Sequence, residues 1–346
     1  DYSYFNKIKT EQVIKAEYQI DSTTSNVNDE RNTILSITDD VLYQEQSSPD
    51  TEIFNVNFKR GRWDDQRLYK LFDFALAGDK FTEISNRSSN FHLAFSPEHP
   101  PVEGDFNFII NEDCEKPEEV LKELVRYRTR ETSEWRNNAL YPQNHLRNQA
   151  RKNCQSSYVF LTDIDIIPSY AMAEEIDVFL KTVPCEKLCA YVIPVYEIDD
   201  SVRFPENKSV LVKYAKSGLA RPFHERIYKA AQMPTDYKRW EENVDDENKT
   251  VHISHTVAKY KEWYEPFFIV LDTAPPYDER FIGYGYTRNT QVYEMNAAGY
   301  EFKVLSSVFA CHWHFKTFEQ DYYSWRTVQL KSNHKQINKF KNEIIA

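Results

Sequence analysis

Two aspartates at the end of an apolar run are the first residues whose type and spacing suggest chemistry. Tyr158–Ser169 reads YVFLTDIDIIPS and places Asp163 and Asp165 one residue apart. Residues two apart in an extended segment point the same way, so both carboxylates are predicted to meet one divalent cation, which relieves their mutual repulsion. Oxygen ligands suit Mg²⁺ or Mn²⁺, and an added imidazole favours Mn²⁺. Such a cation would bind a diphosphate. The alternative is that both aspartates cap the following turn.

The elements around this motif predict an α/β fold, because strands and helices alternate over residues 50–165. This alternation indicates a mostly parallel sheet with helices on both faces, and ligands bind beyond the carboxyl ends of such strands. Strands are predicted at 33–42, 52–61, 91–96, 106–111, 158–163, 188–198, 256–271 and 301–315. Helices are predicted at 63–78, 116–128, 142–154, 171–183, 287–299 and 318–345.

The domain organisation is predicted to be simple, since the chain has no internal repeat, low-complexity segment or clear linker. Residues 1–50 are polar and are interpreted as an N-terminal extension. Residues 51–346 are predicted to form a single catalytic domain, for which the length is sufficient.

Composition and charge exclude some classes of protein. The net charge is −11 and no block of Lys and Arg occurs, which argues against nucleic-acid binding. No run of 18 apolar residues is present, so no membrane-spanning segment is expected. The 23 Tyr and 22 Phe suit stacking on sugars, and an aromatic core equally well.

Cysteines and glycosylation sequons bear on the compartment. Cys185 and Cys189 flank the segment PCEKLC and are predicted to be either a disulfide of an oxidising compartment or two buried thiols. Asn86, Asn207 and Asn248 each begin an Asn-X-Ser/Thr triplet.

Several longer motifs occur in a fixed order after residue 140: YPQNHLRNQAR, YVFLTDIDIIPS, VIPVYEI, GLARPFHE, WYEPFFIV, DERFIGYGYTRNTQVYEMNAAGYEFKVL and CHWHFK. Over roughly residues 140–340 the chain resembles glycosyltransferase family 49, the family of the β-1,4-glucuronyltransferase and of the second catalytic domain of LARGE-type enzymes. The resemblance implies a GT-A fold with a smaller antiparallel region on the acceptor side. It also implies a UDP-sugar donor and Mn²⁺, with Mg²⁺ as the alternative. The expected location is the Golgi lumen, as a type II membrane protein anchored before Asp1, or secretion.

The resemblance assigns roles to residues at matching positions. Asp163 and Asp165 fall on the DxD motif, and His312 is implied as a third metal ligand. His314 is the rival ligand, at a position where the family typically has a small residue. Lys316 is expected to meet a donor phosphate as a point charge.

Further residues are candidates for donor binding. Asn144 and Arg147 are expected to line the nucleotide site, with a helix surface as the alternative. If the donor is UDP-glucuronate, a cation should offset the uronate charge. Arg221, Lys208 and Arg288 are the candidates.

Inversion at the anomeric carbon requires a general base on the acceptor hydroxyl. Asp278 and Glu279 are one choice, of which Asp278 is favoured, and Glu265 is the second candidate. The alternative role of Asp278 is a cap or an ion pair with Arg280. Trp263, Tyr264 and Trp313 suit either sugar stacking or core packing.

Together these features predict a metal-dependent inverting glycosyltransferase that moves glucuronic acid from UDP to a xylose- or galactose-terminated glycan. The alternatives are a transferase for UDP-GlcNAc or another UDP-hexose, and a non-catalytic module that binds a glycan or a nucleotide.

Overall fold

The chain divides into two compact units, residues 1–136 and 137–346. The computed structural model describes residues 52–57, 62–63, 70–78, 89–95, 105–110, 116–126, 128–152, 156–183, 185, 188–242, 250–317 and 324–345. The strand predicted at 33–42 and the sequons at Asn86 and Asn248 lie outside the described residues. The predicted boundaries, an extension over 1–50 and one domain over 51–346, stay predictions.

The first unit contains antiparallel strands where a helix was predicted. Strands β2 and β3 occupy the segment 63–78 in part, so the predicted helix there is wrong. The spacing of Leu68, Leu71, Phe72 and Ala75 fits a helix, but KLFDFALAG also alternates with period two. Pairing with β4 selects the strand. The strands are β1 (Glu52–Asn57), β2 (Arg62–Trp63), β3 (Lys70–Gly78), β4 (Ser89–Phe95) and β5 (Asp105–Ile110).

Among the described residues of this unit, β1 pairs with β5, and β3 lies between β2 and β4. Helix α1 (Pro117–Arg126) follows, with proline at its first position, where the missing N–H costs no hydrogen bond. Helix α2 (Arg130–Asn138) crosses into the second unit.

The second unit contains two mixed sheets, so the prediction of a mostly parallel sheet is wrong. One has the strand order β11-β13-β8-β12-β6 and the other the order β10-β9-β14-β7. In the described residues only the pairs β8–β13 and β9–β14 are parallel. The strands are β6 (Tyr158–Phe160), β7 (Ile166–Pro168), β8 (Cys189–Ile193), β9 (Val195–Ile198), β10 (Ala220–Pro222), β11 (His252–Thr256), β12 (Phe267–Leu271), β13 (Glu301–Ser306) and β14 (Ala310–Trp313).

Breaks inside predicted strands explain the mixed topology. The predicted strand 188–198 divides at Pro194, which cannot donate to a sheet, and its halves β8 and β9 join different sheets. The predicted strand 301–315 also divides into two strands, β13 and β14, which join different sheets. Each of these four strands also has an antiparallel neighbour: β8 pairs with β12, β9 with β10, β13 with β11 and β14 with β7.

Two helices of the second unit have ends that the residue types explain. Helix α7 ends before Gly299, which has φ +90°, as its sequence predicts. Helix α5 begins at the sequon residue Asn207, whose Oδ1 accepts from the Val210 N–H at 3.0 Å. The helices are α3 (Gln143–Lys152), α4 (Met172–Thr182), α5 (Lys208–Lys216), α6 (Tyr237–Glu242), α7 (Asn289–Ala297) and α8 (Ser324–Ile345).

Buried side chains cover both faces of the two sheets. Along β8, Ala190 and Val192 belong to one buried cluster, whereas Tyr191 and Ile193 belong to the other. Because successive side chains of a strand alternate, this separation means that β8 is packed on both faces. Its continuous apolar sequence is typical of such a strand.

Two further sequence expectations have clear outcomes. Cys185 and Cys189 form a disulfide, and Cys311 is buried as a free thiol. None of the helices in the described ranges combines the length and the apolar character needed to cross a membrane.

Candidate active site

Asp163 and Asp165 lie in the link between β6 and β7, which turns instead of running extended. The Ile166 N–H donates to the Asp163 carbonyl at 3.0 Å, and both aspartate side chains are half exposed. Because the chain turns, the two carboxylates meet different partners. Asp163 faces two arginines, whereas Asp165 faces a histidine and a lysine.

Sheet register brings His312 to Asp165. His312 lies opposite Ile166 in the antiparallel pair β14–β7, and its Nε2 is 3.3 Å from Asp165 Oδ2. Its Nδ1 is 2.8 Å from the His314 carbonyl, to which it can only donate. This hydrogen bond leaves the Nε2 lone pair directed at Asp165. When Nε2 carries a proton instead of a metal ion, its hydrogen bond to Asp165 is the main reason that the pKa of Asp165 is lowered.

The pair of Asp165 and His312 fits a divalent cation. A carboxylate and an imidazole with its other nitrogen bound to a carbonyl are ligands typical of Mn²⁺. Among the residues that the structure describes, no three His, Cys, Asp or Glu side chains form a group able to hold an ion. The assignment of Asp163 as a ligand stays a prediction.

Lys316 approaches the same carboxylate. Its Nζ lies 3.7 Å from Asp165 Oδ2 and 4.8 Å from the centre of the Phe223 ring. A lysine here puts a second positive charge beside the cation position, which is the arrangement that a diphosphate requires. The role predicted for Lys316 in binding a donor phosphate stays a prediction.

His314, the rival ligand, faces elsewhere. Its backbone has φ +89°, and its Nδ1 is 2.7 Å from Asp200 Oδ2. The left-handed backbone favours glycine, which explains why a small residue suits this position. The backbone of His314 nevertheless contributes to the site, because its carbonyl orients His312.

Arg288 and Arg147 surround Asp163. Arg288 Nη2 is 3.1 Å from Asp163 Oδ1, and its Nη1 donates to the Leu161 carbonyl. Arg147 Nη2 is 3.7 Å from the same Oδ1. Burial, together with the charge of Arg288, lowers the pKa of Arg147. Asn144 holds Arg147 in place: its Oδ1 accepts a hydrogen bond from Arg147, and its Nδ2 donates to the Asp278 carbonyl.

A cavity of about 450 Å³ opens beside these arginines. Its charged lining residues are Arg147, Asp163, Glu265 and Arg288. Six aromatic residues also line it, which suits a sugar or a base bound face-on. The aromatic residues are Phe223, Tyr228, Trp263, Phe267, Tyr284 and Tyr286.

Glu265, the second candidate for the base, lies in this cavity. Its N–H donates to the Ala231 carbonyl at 2.8 Å, and its own carbonyl accepts from Gln232 at 2.7 Å, which fixes the backbone. Burial raises the pKa of the Glu265 carboxyl, while Arg288 and Arg147 oppose the rise. A raised pKa brings a carboxylate nearer to the value that suits a general base.

Asp278, the favoured candidate, is not among the residues that line this cavity. Its two carboxylate oxygens accept from Arg280, with Nη2 at 2.6 Å and Nε at 3.0 Å, and Oδ1 also accepts the Arg280 N–H. These contacts are the ion pair and cap that were its alternative role. A catalytic role for Asp278 stays a prediction, and Glu265 has the better position.

Two of the three uronate candidates, Arg221 and Lys208, are not among the residues that line the cavity. Arg221 Nε donates to Glu197 Oε2 at 2.7 Å, within a buried ion pair. Lys208 is buried and contacts Ser306 Oγ at 2.8 Å and the Trp240 ring at 4.2 Å. Arg288 is the candidate that lines the cavity.

The aromatic candidates divide between the cavity and the core. Trp263 lines the cavity. Tyr264 is fully buried, with its hydroxyl 2.9 Å from that of Thr235. Trp313 packs against Phe204, at 6.1 Å between ring centres.

Helix α8 supports the cavity wall, a role that sequence reasoning missed. The Asn333 amide lies 3.0, 3.2 and 2.9 Å from the carbonyls of Ile282, Tyr284 and Gly285. Gln329 accepts the Tyr284 N–H at 2.7 Å. These bonds fix the loop that carries Tyr284 to Arg288 into the cavity.

Comparisons with known proteins identify the family of this chain. A sequence profile of the family described as glycosyl-transferase for dystroglycan matches residues 78–346. The chain belongs to this family. The resemblance to glycosyltransferase family 49 is therefore confirmed, and the mixed α/β architecture is consistent with it.

Individual relatives cover the same part of the chain. Beta-1,4-glucuronyltransferase 1 of Danio rerio is 32% identical over 210 residues, which are 60% of this chain and 48% of the relative. The Homo sapiens protein of that name is 35% identical over 179 residues, 52% of this chain and 42% of the relative. Xylosyl- and glucuronyltransferase LARGE2s of Gallus gallus is 31% identical over 174 residues, 50% of this chain and 22% of the relative. The chain thus matches about half or less of the length of these relatives.

Proposed function

We propose that this protein is a metal-dependent, inverting glycosyltransferase that moves glucuronic acid from UDP-glucuronate to a glycan. The observation that carries the proposal is the cavity of about 450 Å³, with Asp163, Arg288 and Glu265 in its wall, next to the Asp165–His312 pair. The names of the related glucuronyltransferases support the choice of donor.

In this proposal Asp165 and His312 hold Mn²⁺, with Asp163 as the third ligand and Mg²⁺ as an alternative ion. When bound, the cation supplies charge neutralisation for the departing diphosphate. Lys316 binds the same diphosphate through its ammonium group, 3.7 Å from Asp165. The hydrogen bond from His312 Nδ1 to the His314 carbonyl keeps Nε2 directed at the cation position.

The uronate is assigned to Arg288. Its guanidinium lines the cavity, stacks at 4.3 Å over the Phe267 ring and is held by Asp163 and the Leu161 carbonyl. A fixed planar guanidinium is suited to a carboxylate. Arg147, in the same wall, adds a second positive charge.

Glu265 is the proposed general base. In its ionised form it accepts the proton of the acceptor hydroxyl as that oxygen attacks the anomeric carbon opposite the leaving diphosphate. Trp263 lines the same cavity and offers a face for the acceptor sugar.

The proposed acceptor is a xylose- or galactose-terminated glycan on a glycoprotein, and the proposed location is the Golgi lumen. The description of the family, which names dystroglycan, supports a glycoprotein acceptor. The Cys185–Cys189 disulfide and the exposed sequon residue Asn207 are both compatible with an oxidising, glycosylating compartment.

The test is UDP release from a panel of UDP-sugars with Mn²⁺, with and without β-xyloside and β-galactoside acceptors. Acceptor-stimulated release from UDP-glucuronate is expected for the unmodified chain, and its loss is expected for Asp165→Asn. Asp177→Asn, on the exposed face of α4, is the matched control and should keep full activity.

Other results would change the proposal. Release from UDP-GlcNAc or another UDP-hexose in place of UDP-glucuronate would refute the donor. UDP binding without release from any donor would favour a non-catalytic binding module. Full activity of Asp165→Asn would refute the role of the cation site.

A further inference from the structure

We propose that Glu197 and Arg221 are a positioning pair that holds Lys316 and His224 in place for donor binding. We call these two residues the Glu197–Arg221 pair. The inference rests on the proposed function in one respect, the role of Lys316 in binding the donor diphosphate. Neither residue of the pair touches the donor in this scheme.

The pair lies under the cation site because of sheet register. Glu197 is fully buried on β9, opposite His312 of β14 on one side and opposite Arg221 of β10 on the other. Arg221 Nε and Nη2 are both 2.7 Å from Glu197 Oε2. The charge of Glu197 is therefore compensated within the sheet.

The remaining hydrogen bonds of the pair go to backbone groups of two site segments. Glu197 Oε1 accepts the His224 N–H at 2.9 Å, and Oε2 accepts the Lys316 N–H at 3.2 Å. Arg221 Nη2 donates to the Lys316 carbonyl at 2.6 Å. Both backbone groups of Lys316 are thus bound by the pair.

These two segments carry side chains of the proposed site. His224 lines the cavity and has φ +60°, a conformation that needs support from its surroundings. Lys316 extends from its fixed backbone to Asp165. The Arg221 guanidinium also stacks on Phe315, at 4.5 Å, which fixes the residue before Lys316.

Stability alone is a weak reason for this arrangement. A buried ion pair adds little over apolar residues of the same volume, because removing two charges from water is costly. The pair instead satisfies three backbone groups of segments that do not lie in regular strands or helices. Orientation of those segments is the function that its geometry supports.

The first test is amide hydrogen exchange, which does not depend on any donor. Arg221→Lys keeps the charge but loses the forked geometry. Glu197→Gln/Arg221→Gln removes both charges together, so that neither is left unpaired. In Glu197→Gln/Arg221→Gln the amides of His224 and Lys316 lose their charged acceptor and should exchange about 10-fold faster, the effect of losing one hydrogen bond to a charged group. Arg221→Lys keeps both Glu197 acceptors and should have a smaller effect. The control is Arg151→Lys, which alters another buried arginine, paired with the partly exposed Asp272. It should leave those two amides unchanged.

The second test measures coupling through the affinity for UDP in the presence of Mn²⁺. Lys316→Ala should weaken UDP binding about 10-fold in the unmodified chain, but less than about 3-fold in the Glu197→Gln/Arg221→Gln background. A pair that only stabilised the fold would lower the melting temperature and leave the effect of Lys316→Ala unchanged.

Unchanged protection of both amides in the pair variants would overturn the proposal. An equal effect of Lys316→Ala in both backgrounds would overturn it as well. If the unmodified chain did not bind UDP at all, the proposed function would fail, and the exchange experiment alone would decide whether the pair holds the two segments.

Discussion

Replacement of Asn333 by alanine should loosen the cavity wall and destabilise the chain. The buried Asn333 amide is within 2.9–3.2 Å of the carbonyls of Ile282, Tyr284 and Gly285, so its two N–H groups serve three acceptors. A net loss of about 1 kcal/mol for each of two hydrogen bonds, with a further cost for buried carbonyls left unpaired, gives about 2–4 kcal/mol. This loss refers to the free energy of unfolding.

Urea denaturation measures this loss as a lower midpoint with an unchanged slope. The matched control is Asn338→Ala, because Asn338 is an exposed asparagine on the same helix. It should change the free energy of unfolding by less than about 0.5 kcal/mol. Asn333→Ala should also weaken UDP-glucuronate binding, since the loop carries Arg288. Equal stability of the two variants would refute the view that helix α8 fixes this loop.

Three further predictions concern the proposed base, the cation site and a glycine of the cavity wall. Glu265→Gln should lower kcat by about 10²–10⁴-fold with little change in UDP affinity. Since burial raises the pKa of Glu265 and the base must be ionised, activity of the unmodified chain should fall as pH drops through a midpoint above the ordinary glutamate value. A midpoint that persists in Glu265→Gln would contradict this assignment. His312→Ala should weaken Mn²⁺ binding, measured by calorimetry, by at least about 10-fold, and an unchanged affinity would exclude His312 as a ligand. Gly285→Ala should cost more stability than Gly218→Ala: both have positive φ, but an added Cβ would clash with the Leu330 side chain at Gly285, whereas it would meet open space at Gly218. Equal melting temperatures would contradict the close approach of helix α8.

The fold could be predicted from sequence where one period dominates. Helix α4 and strand β8 carry long apolar patterns and form as expected. Of the strand predicted at 256–271, residues 267–271 form β12, whereas residues 257–266 form no strand. The segment 63–78 carries helical and alternating periods at once, and only pairing with β4 decides between them. Strand direction was mispredicted, because it depends on which segments meet across the sheet. Local sequence patterns do not indicate whether two neighbouring strands run parallel or antiparallel.

The site was predictable where a motif fixes both residue type and position. Asp165, His312 and Lys316 lie together as the DxD and CHWHFK segments indicate. Glu197 was missed, although a lone glutamate in the apolar run VIPVYEI is a signal for a buried, paired charge. The better position of Glu265 over Asp278 follows from the Arg280 ion pair, which sequence offered only as an alternative.

The most direct test of the account compares two donors that differ only at C6 of the sugar. The measurement is the rate of acceptor-stimulated UDP release with Mn²⁺ from UDP-glucuronate and from UDP-glucose. The account predicts a preference for UDP-glucuronate of at least about 100-fold, because the uronate carboxylate would pair with Arg288 and Arg147, whereas the C6 hydroxyl of glucose carries no charge. That preference should fall below about 10-fold in Arg288→Gln. Equal rates from the two donors, or a preference that survives Arg288→Gln, would contradict it.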